Sequence, residues 1–140
     1  MVSTQVTSFA MRRVTMYCGT THMPQPRDPL GLLPLTPALF HVLVALADED
    51  RHGYAIIKDV AARTNGAVSL GTGTLYGIVK RLLADGLVVE SKRRPAAAED
   101  DERRRYYRLT EFGRRVMAAE TERLEAMVSA ARATRALGKV

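Results

Sequence analysis

The run Gly71-Thr72-Gly73-Thr74-Leu75-Tyr76-Gly77-Ile78-Val79-Lys80-Arg81-Leu82-Leu83-Ala84-Asp85-Gly86-Leu87-Val88 decides the fold. Leu75, Val79, Leu82 and Leu83 recur at three- and four-residue steps, which stacks them on one face of a helix. Gly86 stops that helix, and Leu87-Val88-Val89-Glu90-Ser91 continues as a strand. The other face carries Thr74, Gly77, Lys80 and Arg81, small groups near the start and cations further along. A helix of this kind fits a DNA major groove. Small residues allow close approach, and long cations reach base edges or phosphates.

Upstream, Ala67 to Leu70 is a short connection from a preceding helix. That helix opens at Gly53 and Tyr54 and runs to about Thr64, with Tyr54, Ile57, Val60 and Ala61 expected inward. Asn65-Gly66 closes it with residues that tolerate a left-handed backbone. Two helices joined by a brief turn, the second basic on its outer face, form a helix-turn-helix. Further upstream, Thr36 is a good N-cap and Pro37 suits the first helical position. Leu39, Phe40, Val42, Leu43, Leu46 and Ala47 make the helix that follows apolar around most of its girth. Such a helix must be covered on several sides, and a second subunit is a natural cover.

Downstream, Arg105-Tyr106-Tyr107-Arg108-Leu109 alternates as a second strand, with Tyr107 and Leu109 on one face. The segment between the strands is too polar to pack and makes a wing. Lys92, Arg93, Arg94, Arg103 and Arg104 sit at its base, placed for a phosphate backbone or a minor groove. The acidic run Glu99-Asp100-Asp101-Glu102 opposes them, by folding back on the arginines or by keeping the tip soluble. From Thr110, an N-cap followed by Glu111, a long helix is expected to about Leu137. Its stripe of Val116, Leu124, Met127, Val128 and Ala131 exceeds what so small a domain covers, which points to a second copy. The other reading packs this helix back on its own domain with a frayed end.

The expected fold is therefore mainly α with a small two-stranded β wing, a winged helix-turn-helix plus a long C-terminal dimerisation helix. Residues 1–34, rich in threonine, serine and proline, are expected to be a flexible N-terminal tail. Residues 35–109 would form the DNA-binding domain and 110–140 the dimerisation helix. The expected dimer contacts are Leu39, Val42, Leu43, Val116, Leu124, Met127, Val128 and Ala131.

A chain of 140 residues with 46% hydrophobic content makes one domain with a packed core. A formal net charge of +6 suits a polyanion such as nucleic acid, although a generic basic surface has the same balance. The single cysteine, Cys18, forms no internal disulfide, in keeping with a reducing compartment. No apolar run approaches the roughly 20 residues of a membrane span. The N-terminus lacks the order of a secretory signal. A cytoplasmic protein with no membrane partner is expected. Cys18 and His22 stand four apart, yet nothing nearby completes a metal site. No catalytic triad or carboxylate pair appears, and Gly71-Thr72-Gly73 lacks the glycine-lysine pair of a phosphate-binding loop. No enzyme activity, metal or cofactor is expected.

His52-Gly53-Tyr54, Gly73-Thr74-Leu75-Tyr76, the segment Leu82 through Gly86-Leu87-Val88, and Tyr106-Tyr107-Arg108-Leu109-Thr110-Glu111-Phe112-Gly113 occur in that order. From about Leu35 onward the chain resembles the PadR-type transcriptional regulators. Its single short C-terminal helix is similar to the smaller of the two family subtypes. The resemblance implies a homodimeric regulator, usually a repressor, released from its operator by a small molecule or another cellular signal. Family members often carry Ser-Pro before the Gly-Thr-Leu-Tyr segment, where this chain has Gly71-Thr72. Some hold aromatic compounds with tryptophan at the dimer interface, and this chain has no tryptophan.

Candidate DNA contacts are Tyr54, Gly73, Thr74, Tyr76, Gly77, Lys80, Arg81, Lys92, Arg93, Arg94, Arg103 and Arg104. Several have a second reading. Tyr76 can donate to a phosphate or serve packing alone, Tyr54 falls on an inward spacing, and Thr74 can cap its helix. Lys80 and Arg81 can belong to a merely solvated face. The partners expected are double-stranded DNA carrying an inverted-repeat operator, a second copy of the chain and an effector of unknown identity. The alternative function is a winged-helix protein-interaction module that docks an acidic partner and binds no DNA.

Overall fold

The computed structural model describes residues 27–92 and 104–138. In order, the elements are α1 (Pro37–Ala45), β1 (Arg51–His52), α2 (Gly53–Arg63), α3 (Thr72–Ala84), β2 (Val88–Ser91), β3 (Tyr106–Leu109) and α4 (Glu111–Arg132). Short 3-10 turns lie at Pro29–Leu32 and Arg135–Leu137. The architecture is mainly helical, with a winged sheet and a long last helix. The sheet is three-stranded rather than two-stranded, in the order β1-β3-β2 and antiparallel throughout. Arg51 pairs with Tyr107 and His52 with Tyr106, so the chain entering α2 adds a short edge to the wing.

Caps set the helix ends. Thr36 accepts the Leu39 N–H at 3.3 Å, with Pro37 in the first turn. His52 caps α2 through Nδ1, which accepts the Ala55 N–H at 3.2 Å. Thr110 caps α4 by accepting the Gly113 N–H at 2.9 Å. Gly71 precedes α3, and no side chain caps it. At the far end of α3, Gly86 takes φ +75°. The Leu87 N–H returns to the Leu82 carbonyl at 2.9 Å and the Gly86 N–H to Leu83 at 3.2 Å, the paired bonds of a glycine-terminated helix. Asn65 and Gly66 close α2 with φ values of 50° and 80°.

The core joins Val42, Leu43 and Leu46 to Ile56 and Val60 of α2, Leu75, Val79 and Leu82 of α3, and Leu87, Val88, Leu109 and Val116. Four of the expected dimer contacts, Leu39, Val42, Leu43 and Val116, are buried here within one chain. The apolar girth of α1 is covered by its own domain. Ile56, not Ile57, is the fully buried isoleucine of α2, and Tyr54 points outward instead of inward. Leu83 is exposed as well, while Leu75, Val79 and Leu82 are the buried residues of α3. α4 ends at Arg132, short of the expected Leu137.

The ordered fold also starts before the expected boundary at Leu35. Asp28 caps the turn at Pro29–Leu32, and Leu32 and Leu33 pack on the core. Arg27 Nη1 donates to the Asp85 carbonyl at 2.6 Å, satisfying an otherwise orphaned acceptor at the end of α3. The Leu35 N–H donates to Glu120 Oε2 at 3.3 Å. Glu120 is buried and is held by Arg123, whose Nε lies 3.1 Å from both carboxylate oxygens. That guanidinium holds the Glu120 carboxyl below the usual carboxylate range against the opposing effect of burial, with help from the Leu35 N–H. Among the described residues, no helix is long and apolar enough to cross a membrane.

Candidate nucleic-acid interface

α3 is fixed from behind by Leu75, Val79 and Leu82. The face turned away from that anchor runs Gly73, Gly77, Lys80 and Ala84, at four- and three-residue steps, and every one of these residues is exposed. A Cβ built on Gly73 or Gly77 would meet nothing within 4 Å. Among the described residues neither glycine serves packing, and each leaves a shallow floor on which another backbone can settle. Lys80 stands further along the same stripe. Thr74 and Arg81 lie on one flank, both exposed, with Arg81 Nε 3.9 Å from Asp85 across one turn. So exposed a pair holds Arg81 only weakly and leaves it free to exchange partners.

Tyr76 lies on the other flank, 54% exposed, and its ring leans over the start of α2. Gly53 makes room for it. A Cβ there would come within 3.2 Å of Leu75 Cδ2 and 3.5 Å of the Tyr76 hydroxyl. Tyr54 is 58% exposed and carries Lys58 Nζ 4.8 Å from its ring centre. Together with the wing base these groups enclose an open cleft of about 470 Å³, lined by His52, Gly53, Tyr54, Tyr76, Arg104, Arg105 and Tyr107. Arg104 and Lys92 are exposed at the base of the wing, while Arg105 Nε stands 3.8 Å from Glu90. Arg93, Arg94 and Arg103 lie outside the described residues.

Four residues that line the cleft, His52, Gly53, Arg105 and Tyr107, were not among the candidate contacts. His52 is both a helix cap and a wall of the cleft. Tyr107 falls on the buried face that the strand alternation indicates, yet it also lines the cleft. Arg51 donates to the Ala45 carbonyl at 2.8 Å and pairs with Glu49 at 3.0 Å and Asp59 at 3.3 Å, which locks β1 and α2 together behind the cleft. The His-Gly-Tyr triplet was the available signal for the first of these. Its glycine has a contact reason, its histidine a capping reason, and its tyrosine is left for solvent.

The order of these parts is that of a known family, whose model matches residues 42–119. The chain belongs to the transcriptional regulator PadR-like family. Solved structures share its fold. A transcriptional regulator from Clostridium thermocellum is 26% identical, with a TM-score of 0.56 over 67% of this chain and 88% of that one. A PadR family transcription regulator from Clostridium difficile shares the fold at 23% identity and a TM-score of 0.56, over 66% of this chain and 91% of that one. A PadR-like transcriptional regulator from Bacillus cereus shares it at 16% identity and 0.59, over 74% and 93%. No curated protein matches the sequence. In this PadR-like chain the matched segment contains α2, α3, the sheet and the first turns of α4.

The other four expected dimer contacts are on α4. Leu124 is half-buried, whereas Met127, Val128 and Ala131 are exposed. An apolar groove of about 430 Å³ runs between Phe40 of α1 and Leu124 and Val128 of α4.

Proposed function

We propose that this protein is a sequence-specific, DNA-binding repressor of transcription that acts in the cytoplasm as a homodimer and is released by a small molecule or another cellular signal. The observation that carries the reading is the outer face of α3. Glycines with open space above them and a lysine on the same stripe make a helix surface that packs against nothing among the described residues and suits a major groove. Thr74, Tyr76 and Arg81 would flank the groove, Tyr54 would meet the backbone beside it, and Lys92, Arg93, Arg94, Arg103 and Arg104 would bring the wing base to neighbouring phosphates. The second copy would cover the end of α4 around Leu124, Met127, Val128 and Ala131. An effector that favours one spacing of the two α3 helices would shift the population away from DNA. In domain terms, 35–109 would do the binding and 110–140 the pairing, with the N-terminal residues outside both.

Selection of genomic fragments by the pure protein at two salt concentrations tests the reading. An enriched inverted repeat, lost when Lys80 and Arg81 are both replaced by alanine without change in melting temperature, is the expected outcome. Enrichment of no sequence, or full retention of binding by the double variant, overturns it.

A further inference from the structure

We propose that Arg27 is a positioning residue for DNA recognition, the outer end of a strap, residues 27–35, that ties the C-terminal end of α3 to α4. The inference rests on the DNA-binding reading above and gives a part in it to residues that precede its binding unit.

The strap is held at both ends and in the middle. At one end Arg27 Nη1 donates to the Asp85 carbonyl at 2.6 Å, across 58 positions of sequence. In the middle, Asp28 caps the turn at Pro29–Leu32 by accepting the Leu30 N–H at 3.0 Å. That turn packs on α4, and Leu32 and Leu33 join the margin of the core. At the other end the Leu35 N–H donates to Glu120, a buried residue of α4 that Arg123 clamps. A segment fixed this way carries the position of α4 to the guanidinium of Arg27.

Asp85 is the C-cap of α3. The last carbonyls of a helix lack N–H partners from a following turn, and the negative end of the helix dipole lies there. A guanidinium answers both needs with one charge-assisted bond. Arg27 Nη1 also sits beside the turn that ends the helix, 3.7 Å from where a Cβ on Gly86 would stand. The stretch held is the one that carries the cations of α3. Arg81 Nε is 3.9 Å from the Asp85 carboxylate, and a cavity of about 30 Å³ between strap and helix is walled by Leu32, Leu35, Arg81 and Asp85. α3 begins without a side-chain cap, so its direction depends on its packed face and on this far end. Base edges are read only by side chains held in fixed geometry, whereas attraction to phosphates tolerates small shifts. Release of Asp85 therefore costs specific binding and spares non-specific binding.

The test uses the full chain, Arg27→Ala, Arg27→Lys, Lys80→Ala as a control, and a duplex selected by the wild type together with a scrambled duplex of equal length. Arg27 is exposed, so Arg27→Ala is expected to keep the melting temperature. It should weaken binding to the selected duplex by roughly fivefold, the size of one net hydrogen bond, and leave the scrambled duplex and the salt slope unchanged. Amide hydrogen exchange at Gly86 and Leu87 in the free protein should quicken by a similar factor. Arg27→Lys keeps a cationic donor and should restore most of both effects. Equal weakening on both duplexes with a shallower salt slope makes Arg27 a phosphate contact and overturns the positioning role. A loss of binding that only tracks a lower melting temperature overturns it as well. Selected-duplex binding that Lys80→Ala weakens and Arg27→Ala leaves intact sinks the strap and leaves the DNA reading standing. A wild type that binds neither duplex sinks both.

Discussion

Gly113 shows how little room single residues leave where α4 meets the wing. A Cβ there would lie 2.1 Å from the Leu87 carbonyl oxygen and 2.8 Å from Leu109 Cδ1. Thr110 fixes the same junction, aiming its hydroxyl at the Gly86 and Leu87 carbonyls at 2.7 and 3.0 Å while capping Gly113. Gly113→Ala must push backbone against backbone and is expected to cost about 3 kcal/mol or more in urea unfolding. Gly77→Ala is the opposite case. Open space above it means the substitution should stabilise the helix by about 0.5–1 kcal/mol while weakening DNA binding, since the new methyl stands on the groove face. Stability and affinity moving together at Gly77 would contradict its assignment to the DNA surface. Glu120 gives a prediction in pH. Its folded carboxyl titrates below the ordinary value, so its contribution is complete above the unfolded pKa near ~4.3 and fades as pH falls through the lower folded one. Glu120→Gln should therefore lose about 1–2 kcal/mol of stability at pH 7 and progressively less below pH ~4, read from denaturant curves at several pH values.

α4 is the element whose two halves have different duties. Up to Glu120 it buries Gly113, Val116 and Glu120 against the domain. Past Arg123, Met127 and Val128 are 56% and 50% exposed, and fully burying either is worth about 1.5–3 kcal/mol. Replacing both by glutamate should leave a folded chain, because neither supports the monomer core, and should halve the mass seen by light scattering. A double variant that keeps the wild-type mass would overturn the proposed pairing through α4. Periodicity made the helices legible, since Leu75, Val79 and Leu82 anchor α3 as their spacing requires. It did not tell inside from outside at the margin of a stripe, where Ile56 displaced Ile57 and Leu83 was left in solvent. Nor did it reveal β1. Arg51-His52 has no strand pattern of its own and is extended only because Tyr106 and Tyr107 offer it a partner. The prolines before Leu35 read as a break, yet the segment packs by way of Leu32, Leu33 and a side chain from α4. Long-range contacts of that sort leave no local trace.

At the scale of the whole molecule, a single α3 helix reads only a few base pairs, and its exposed cations number too few for tight binding alone. On the proposed dimeric reading, affinity comes from repetition, through phosphate contacts around each helix and through two helices held at one spacing. The first source makes binding steeply salt-dependent. Each phosphate contact contributes roughly 0.9 to the slope of log affinity against log salt, so Arg104→Ala in both copies should reduce that slope by about 2. The second makes binding depend on helical phase. Two recognition helices related by a two-fold axis meet one face of B-DNA when the half-site centres lie about 34–36 Å apart, near 10 base pairs. Inserting about five base pairs at the operator centre turns one half-site to the far side of the duplex, and affinity should drop to that of an isolated half-site. Anisotropy titrations on operators lengthened one base pair at a time measure this directly. A smooth decline with length, without the sharp loss at half a turn, would mean that the two copies do not read DNA as a rigid pair, and the apolar end of α4 would then need another explanation.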